Sequence, residues 1–143
     1  MTTFRNRKGG CCIPSWKFIV RMGNCENVTD WRSDMAVYEL LMRSMEERNA
    51  EHYIEALHDD YEFVRHQSGT TMDKEQVSEM MRGMMANSDV VIDEPRCIYE
   101  NDEILVEHSM MDFPDGTREA VMAVHTIKDG KIIRTETGAT LIQ

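Results

Sequence analysis

The chain contains 143 residues, and 41% of them are hydrophobic, so it can form one domain with a buried core and is too apolar for a disordered protein. The formal net charge is −10 at pH 7. This charge argues against nucleic acid or an anionic membrane as a partner, because binding to phosphates requires clustered Lys and Arg. No apolar run approaches the roughly 20 residues that a membrane-spanning helix requires.

The first 33 residues differ in charge from the rest of the chain. Residues 1–33 contain six basic and two acidic side chains, whereas residues 34–143 contain ten basic and 24 acidic ones. Pro14 and Lys17 interrupt the apolar stretch that follows the first basic residues, which disfavours a secretory signal peptide. We therefore predict an extended or partly disordered N-terminal arm over residues 1–33 and one folded domain over residues 34–143.

The cysteines predict a cytoplasmic location. Three of the four, Cys11, Cys12 and Cys25, lie in the predicted arm, and the sequence contains no Cys-x-x-Cys spacing. This usage disfavours a disulfide framework or a zinc knuckle and is typical of a reducing compartment.

Helical patterns come first in the predicted domain. Apolar residues recur at helical spacing in residues 35–57 and again in residues 73–86. Asn49 is a candidate N-cap for a second helix, and Asp73 with Gln76 has the spacing of a capping box. The thirteen methionines of the chain would suit a soft, adaptable pocket, but core filling is the favoured interpretation at Met42, Met45, Met80 and Met84.

Strand patterns follow the helices. Residues 61–66 alternate as in a short strand, residues 67–71 have loop composition, and Asp129-Gly130 is a strong hairpin signal. The four C-terminal strand-like runs cover residues 90–99, 103–113, 118–128 and 131–142. Helices followed by an antiparallel meander predict a single α+β domain.

Several local features resemble one known superfamily. They are the Asn49-Ala50 helix junction, residues 57–60 leading into a strand, the Gly69 loop before a helix, and residues 128–133. Together they resemble the nuclear-transport-factor-2-like superfamily, which includes SnoaL-like cyclases and ketosteroid isomerase, over residues 34–143. The resemblance implies a cone-shaped α+β fold, with N-terminal helices packed on a strongly curved, mostly antiparallel sheet, and a homodimer.

The resemblance does not extend to the chemistry of ketosteroid isomerase. In the register that it implies, the catalytic tyrosine of that enzyme falls near Leu41, its proton-shuttling aspartate near Arg65, and its oxyanion-hole aspartate near Ala123. None of these side chains can serve as the general base or the oxyanion donor that the reaction requires. The acid–base aspartate of SnoaL has no convincing match either.

Side-chain alternation predicts a different set of pocket residues. In residues 103–113 we predict that the more apolar set, which contains Val106 and His108, faces inward, and in residues 118–128 we predict the same for His125. Histidine suits acid–base work near neutral pH, so His108 and His125 are the predicted catalytic residues. The predicted ligand-binding residues are Tyr38, Leu41, Phe63, Arg65, His66, Val106, Ala123, Thr135 and Thr137.

Plainer interpretations remain open at each of these positions. A strand histidine is more often a core or surface residue, and a register shift of one residue would turn His108 and His125 outward. Arg65 could pin an anionic ligand or pair with one of the many carboxylates of this chain. Three histidines, His66, His108 and His125, could hold zinc, but nothing in their spacing requires it, and we expect no metal and no cofactor.

Besides the metal-dependent enzyme that these three histidines would allow, the sequence supports two functional hypotheses of different classes. The first is a small-molecule binding protein whose pocket accepts a largely apolar ligand, with or without cofactor-independent isomerase, cyclase or lyase activity. The second is a non-catalytic dimeric module for protein interaction. Fold alone does not separate them, because one fold hosts many functions.

Overall fold

The computed structural model describes residues 36–143, which form three helices and one six-stranded sheet. The predicted arm, residues 1–33, lies outside the described residues. None of the helices in residues 36–143 is long and apolar enough to cross a membrane. The elements in chain order are α1 (Val37–Glu46), α2 (Ala50–Glu55), β1 (Leu57–Arg65), β2 (Thr70–Asp73), α3 (Lys74–Ala86), β3 (Val91–Glu100), β4 (Ile104–Asp112), β5 (Arg118–Lys128) and β6 (Lys131–Ile142).

Two of the helices begin at the predicted caps. The side chain of Asn49 accepts a hydrogen bond of 3.1 Å from the backbone N–H of Glu51, which satisfies one free donor of α2. Asp73 accepts from the backbone N–H of Gln76, and the Gln76 side chain accepts from the backbone N–H of Asp73. The predicted capping box is therefore confirmed, and it fixes the first turn of α3.

Two predicted boundaries around β1 are wrong. Residues 58–60 do not end a helix, because β1 already begins at Leu57, whose fully buried side chain lies beside Ile132 of β6. Residues 70–73, predicted partly as loop, form the edge strand β2 against the end of β1. Both errors arise from pairing partners far away in the sequence, which local propensity does not report.

The sheet has the order β2-β1-β6-β5-β4-β3. Every neighbouring pair is antiparallel except β1 with β6, so the prediction of a mostly antiparallel sheet is confirmed. The three helices pack on one face, where Leu41, Val77, Leu105 and Ile132 are fully buried in a common core. We call the face toward the helices the inner face and the opposite one the outer face.

The turn between β5 and β6 sets the position of His125. Asp129 and Gly130 both have positive φ, as a two-residue hairpin turn requires, and they place Lys128 beside Lys131. A β-bulge between Thr126 and Ile127 then shifts the register by one residue. As a result His125 lies opposite Thr135 rather than opposite Arg134, and the two side chains share the inner face.

The turn between β4 and β5 brings a carboxylate to the same face. Asp112 pairs with Arg118 across a five-residue loop, and the register continues without a bulge. Leu105 therefore lies opposite His125, and Glu107 lies opposite Ala123. Side chains of directly opposed residues project from the same face of a sheet, so Glu107 is an inner-face residue.

Candidate functional site

A cavity of about 400 Å³ lies between the helices and the inner face of the sheet. Its wall is mostly apolar and includes seven methionines and three aromatic side chains. Helix α1 supplies Met42 and Met45, and α3 supplies Met80, Met81 and Met84. Met42, Met45 and Met84 also pack against the buried core, as predicted, whereas Met80 is 40% exposed. The volume lies within the range of small-molecule sites.

A chain of hydrogen bonds crosses the sheet at the cavity wall. His125 is 1% exposed, and its Nδ1 lies 2.8 Å from the hydroxyl oxygen of Thr135. On the other side of the ring, Nε2 lies 3.1 Å from Oε1 of Glu107. All three residues line the cavity, and the Glu107 side chain remains 22% exposed. We call this set the Glu107–His125–Thr135 triad.

The partners of the imidazole define an arrangement of protons. A Glu107 carboxylate can only accept, so it takes a hydrogen bond from Nε2–H of His125. The Thr135 hydroxyl can then donate to Nδ1, which leaves the ring neutral with both nitrogens satisfied. The second carboxylate oxygen of Glu107, Oε2, has no hydrogen-bond partner within residues 36–143 and is available to a ligand.

Two buried tyrosines lie beneath the triad. The Tyr61 hydroxyl lies beside those of Tyr53 and Thr135, yet no described residue gives it a hydrogen bond of ordinary geometry. Burial raises the pKa of Tyr61 to about 12 and raises the pKa of Tyr53 well above its usual value. Both phenols are therefore neutral donors at physiological pH.

A second polar cluster lies at the other end of the cavity. Arg65 Nη2 donates to Glu119 at 3.3 Å and to Gln67 at 3.0 Å, and the Gln67 amide donates to the other oxygen of Glu119 at 3.2 Å. Glu119 is only 8% exposed, so its charge is held inside the protein by this pairing. Of the two interpretations of Arg65, an anchor for an anionic ligand or the partner of a carboxylate, the structure therefore shows the second.

Six predicted site residues line the cavity. Phe63 and Arg65 reach it from β1, and the rest come from the two strands that pair around the Asp129-Gly130 turn. Those four residues are Ala123, His125, Thr135 and Thr137.

The predicted orientation of β4 is wrong. His108 lies opposite Met122 and Val106 lies opposite Val124, so both project from the outer face, away from the cavity. The inner face of β4 instead carries Glu107, which is polar, so choosing the more apolar set selected the wrong side.

Three further predicted residues do not line the cavity. His66 is exposed and lies 3.2 Å from Glu136, and Leu41 is buried in the core. Tyr38, on α1, packs against the buried core outside the cavity, where burial and the nearby Glu107 raise its pKa. Because His66, His108 and His125 are not brought together, the zinc alternative lacks its ligand set. No group of three or more potential metal ligands occurs within residues 36–143.

The comparisons with known proteins agree with this architecture. The profile of the SnoaL-like domain matches residues 38–135. An NTF2-like protein of unknown function from Mesorhizobium loti has a TM-score of 0.63 at 10% identity, covering 73% of this chain and 90% of its own. A candidate ketosteroid isomerase from Kribbella flavida has a TM-score of 0.60 at 12% identity, covering 82% and 84%.

A third solved structure gives the same result. An NTF2-like protein of unknown function from Cytophaga hutchinsonii has a TM-score of 0.58 at 12% identity and covers 75% of this chain and 92% of its own. No curated protein sequence matches the chain significantly. At these identities the structural matches establish the fold alone. Since the domain profile spans most of the described residues, the chain belongs to the SnoaL-like domain family within the nuclear-transport-factor-2-like superfamily.

Proposed function

We propose that this protein binds a small, largely apolar ligand in the cavity and exchanges a proton with the ligand through Glu107. The observation that carries the proposal is the position of the Glu107–His125–Thr135 triad on the wall of an otherwise apolar cavity of about 400 Å³. An apolar cavity with a few convergent polar groups is the usual form of a small-molecule site.

The triad supplies the parts of a general base. Oε2 of Glu107 accepts a proton from the ligand while Oε1 keeps its hydrogen bond from His125. Thr135 holds the imidazole in the tautomer that donates to Glu107. Return of the proton to another atom of the same ligand gives an isomerisation or a cyclisation, and the step balances without a cofactor. The location of such an enzyme is proposed to be cytoplasmic, with neither nucleic acid nor membrane as a partner.

A blocked cavity tests ligand binding. Ala139 lines the cavity and Thr140, the next residue of β6, lies exposed on the opposite face. Naphthylmethanol, a neutral apolar probe with one hydroxyl, is expected to bind the full chain and the Thr140→Trp variant with equal affinity in isothermal titration calorimetry. The Ala139→Trp variant places an indole ring in the cavity, and its affinity for the probe is expected to fall at least tenfold. Equal binding by both variants would place the probe elsewhere and overturn the proposal.

Deuterium exchange tests the chemical step. A ligand that copurifies with the protein, identified by native mass spectrometry, is incubated in D₂O with the enzyme. Incorporation of deuterium is expected to slow about 100-fold in the Glu107→Gln variant, because an amide cannot hold the abstracted proton. Exchange that is unchanged in this variant would leave a binding protein without acid–base activity.

A homodimer is proposed from the outer face of the sheet. Met122 is 49% exposed and Tyr99 is 54% exposed, and both lie on the outer face of strands β3–β6 together with Val106 and Val124. Strands β3–β6 contain nine to twelve residues each, so this face covers about 600 Å², near the ~800 Å² per partner of stable complexes. A second copy of the chain can cover it by two-fold symmetry, with identical patches in contact.

Light scattering with size-exclusion chromatography tests the dimer. The Met122→Glu variant is expected to elute as a monomer, because association would desolvate a new carboxylate in each copy of the chain. Ser88→Glu adds the same charge at an exposed position outside the patch and is expected to remain dimeric. A monomeric wild type would remove the dimer from the proposal. A dimeric wild type that binds no naphthylmethanol would favour the interaction module instead.

A further inference from the structure

The charges around the cavity are unbalanced. Four side chains that can carry charge line it: Arg65, Glu107, Glu119 and His125. Arg65 and Glu119 form an ion pair, so their charges cancel at the cavity's edge. With the Thr135 hydroxyl donating to Nδ1, the ring of His125 carries a single proton, on Nε2, and adds no charge to the wall. One negative charge, that of Glu107, is left without a cationic partner among the lining residues.

The rest of the wall is better suited to a cation than to an anion. Seven thioether sulfurs and three aromatic rings line the cavity. A thioether is a weak acceptor and offers no hydrogen to an anion, whereas aromatic faces attract cations. Apart from the paired Arg65 and His125, the side-chain donors of the wall are hydroxyls, including those of Ser109 and Thr137, which accept as readily as they donate.

The field of the whole protein has the same sign. The chain carries a formal net charge of −10, and the acidic excess lies in residues 34–143, which contain ten basic and 24 acidic side chains. A surplus of this sign raises the local concentration of cations and repels anions at the cavity entrance. Long-range and local electrostatics therefore favour the same class of ligand.

We infer that the cavity selects a ligand whose single polar group is a cation, an ammonium or iminium centre on a compact apolar body, held at Oε2 of Glu107. This inference rests on the proposed function, because it assigns the charge of the ligand to the same cavity. Glu107, not Arg65, is therefore the anchor of the ligand, because the Arg65 guanidinium balances Glu119 and does not receive an anionic group. A positive centre also acidifies the C–H bonds beside it, so the same contact serves the proton transfer proposed for Glu107.

A matched series of probes tests the sign of the charge. Naphthylmethylammonium, naphthylmethanol and naphthoate share one ring system and differ in the charge of the polar group. In isothermal titration calorimetry with the full chain we expect the ammonium probe to bind at least tenfold tighter than the alcohol, and naphthoate to bind weakest. Equal affinities, or tightest binding by naphthoate, would overturn the inference even while binding of the alcohol supports the proposed function. Failure of all three probes would overturn both.

Two variants assign the preference to one carboxylate. Glu107→Gln keeps the shape of the side chain. It is expected to lower the affinity for the ammonium probe about tenfold while changing the affinity for the alcohol by less than threefold. Glu103→Gln removes the same charge from an exposed turn outside the cavity and is expected to preserve the preference. Equal losses in both variants would attribute the preference to net charge and reject Glu107 as the anchor. The ranking of the probes on the wild-type chain decides the inference independently of how well either variant folds.

Discussion

The His125→Leu variant is expected to lower the free energy of unfolding by about 3 kcal/mol, measured by urea denaturation at pH 7. The ring is buried and bonds both Thr135 and Glu107, so its removal leaves two polar groups without a partner. A buried group left unsatisfied costs about 1–3 kcal/mol. The cost of leaving Glu107 unpaired lies at the low end of that range, because its side chain is partly exposed and can be hydrated. The cost for Thr135 is higher, since this residue is 1% exposed.

A double-mutant cycle separates the hydrogen bond from the loss of packing. If the cost of His125→Leu comes partly from an unpaired Glu107, then Glu107→Leu made in the same chain should relieve it. We expect the double variant to be at least about 1 kcal/mol more stable than the sum of the single changes predicts. Strict additivity would show that the 3.1 Å contact between Glu107 and His125 contributes no net stability.

The wrong prediction of which face of β4 lines the cavity shows which information local sequence patterns do not contain. Opposed residues of β4 and β5 share a face, so an inward His125 requires Leu105 and Glu107, not His108, to face inward. The length of the loop between Asp112 and Arg118 decides this parity, and one more or one fewer residue in it would reverse the faces of β4. Counting loop residues from the predicted end of the run at Phe113 would have placed Val106 opposite His125, because β4 ends one residue earlier, at Asp112. Ranking strand faces by hydrophobicity also fails, because this cavity wall carries the carboxylate and the outer face carries Val106 and Met122.

Other parts of the fold could be predicted from the sequence because their causes are local. The caps at Asn49 and Asp73 and the Asp129-Gly130 turn each depend on a few adjacent residues, and all are present. The bulge beside Thr126 is different, since no Gly or Pro marks it, and it alone brings Thr135 opposite His125. Strand β2 likewise depends on its partner β1. Local chemistry therefore predicted the two helix caps and the hairpin turn, and long-range register determined which side chains meet.

The Tyr61→Phe variant is expected to lose less stability at alkaline pH than the wild-type protein. In the folded state burial raises the pKa of Tyr61 to about 12, whereas an unfolded tyrosine titrates near 10. Below about pH 10 both states keep the proton and Tyr61 contributes nothing to the pH dependence. Between about pH 10 and 12 the unfolded state releases its proton first, so the free energy of unfolding falls as pH rises. The slope approaches about 1.4 kcal/mol per pH unit between the two pKa values, and the fall amounts to roughly 2 kcal/mol by pH 12.

Phenylalanine at position 61 removes this contribution while keeping the ring in the core. At pH 7 little change in stability is expected, because the Tyr61 hydroxyl has no hydrogen bond of ordinary geometry to lose. Tyr53, whose pKa is also raised by burial, retains its own alkaline contribution, so the variant keeps part of the slope. Tyr99→Phe in the Met122→Glu monomer is the matched control, since that side chain is 54% exposed in the single chain and its loss is expected to leave the alkaline slope of that monomer unchanged. Urea denaturation across this pH range decides the question, and identical alkaline losses in Tyr61→Phe and wild type would mean that the Tyr61 phenol is not kept neutral by burial in the fold.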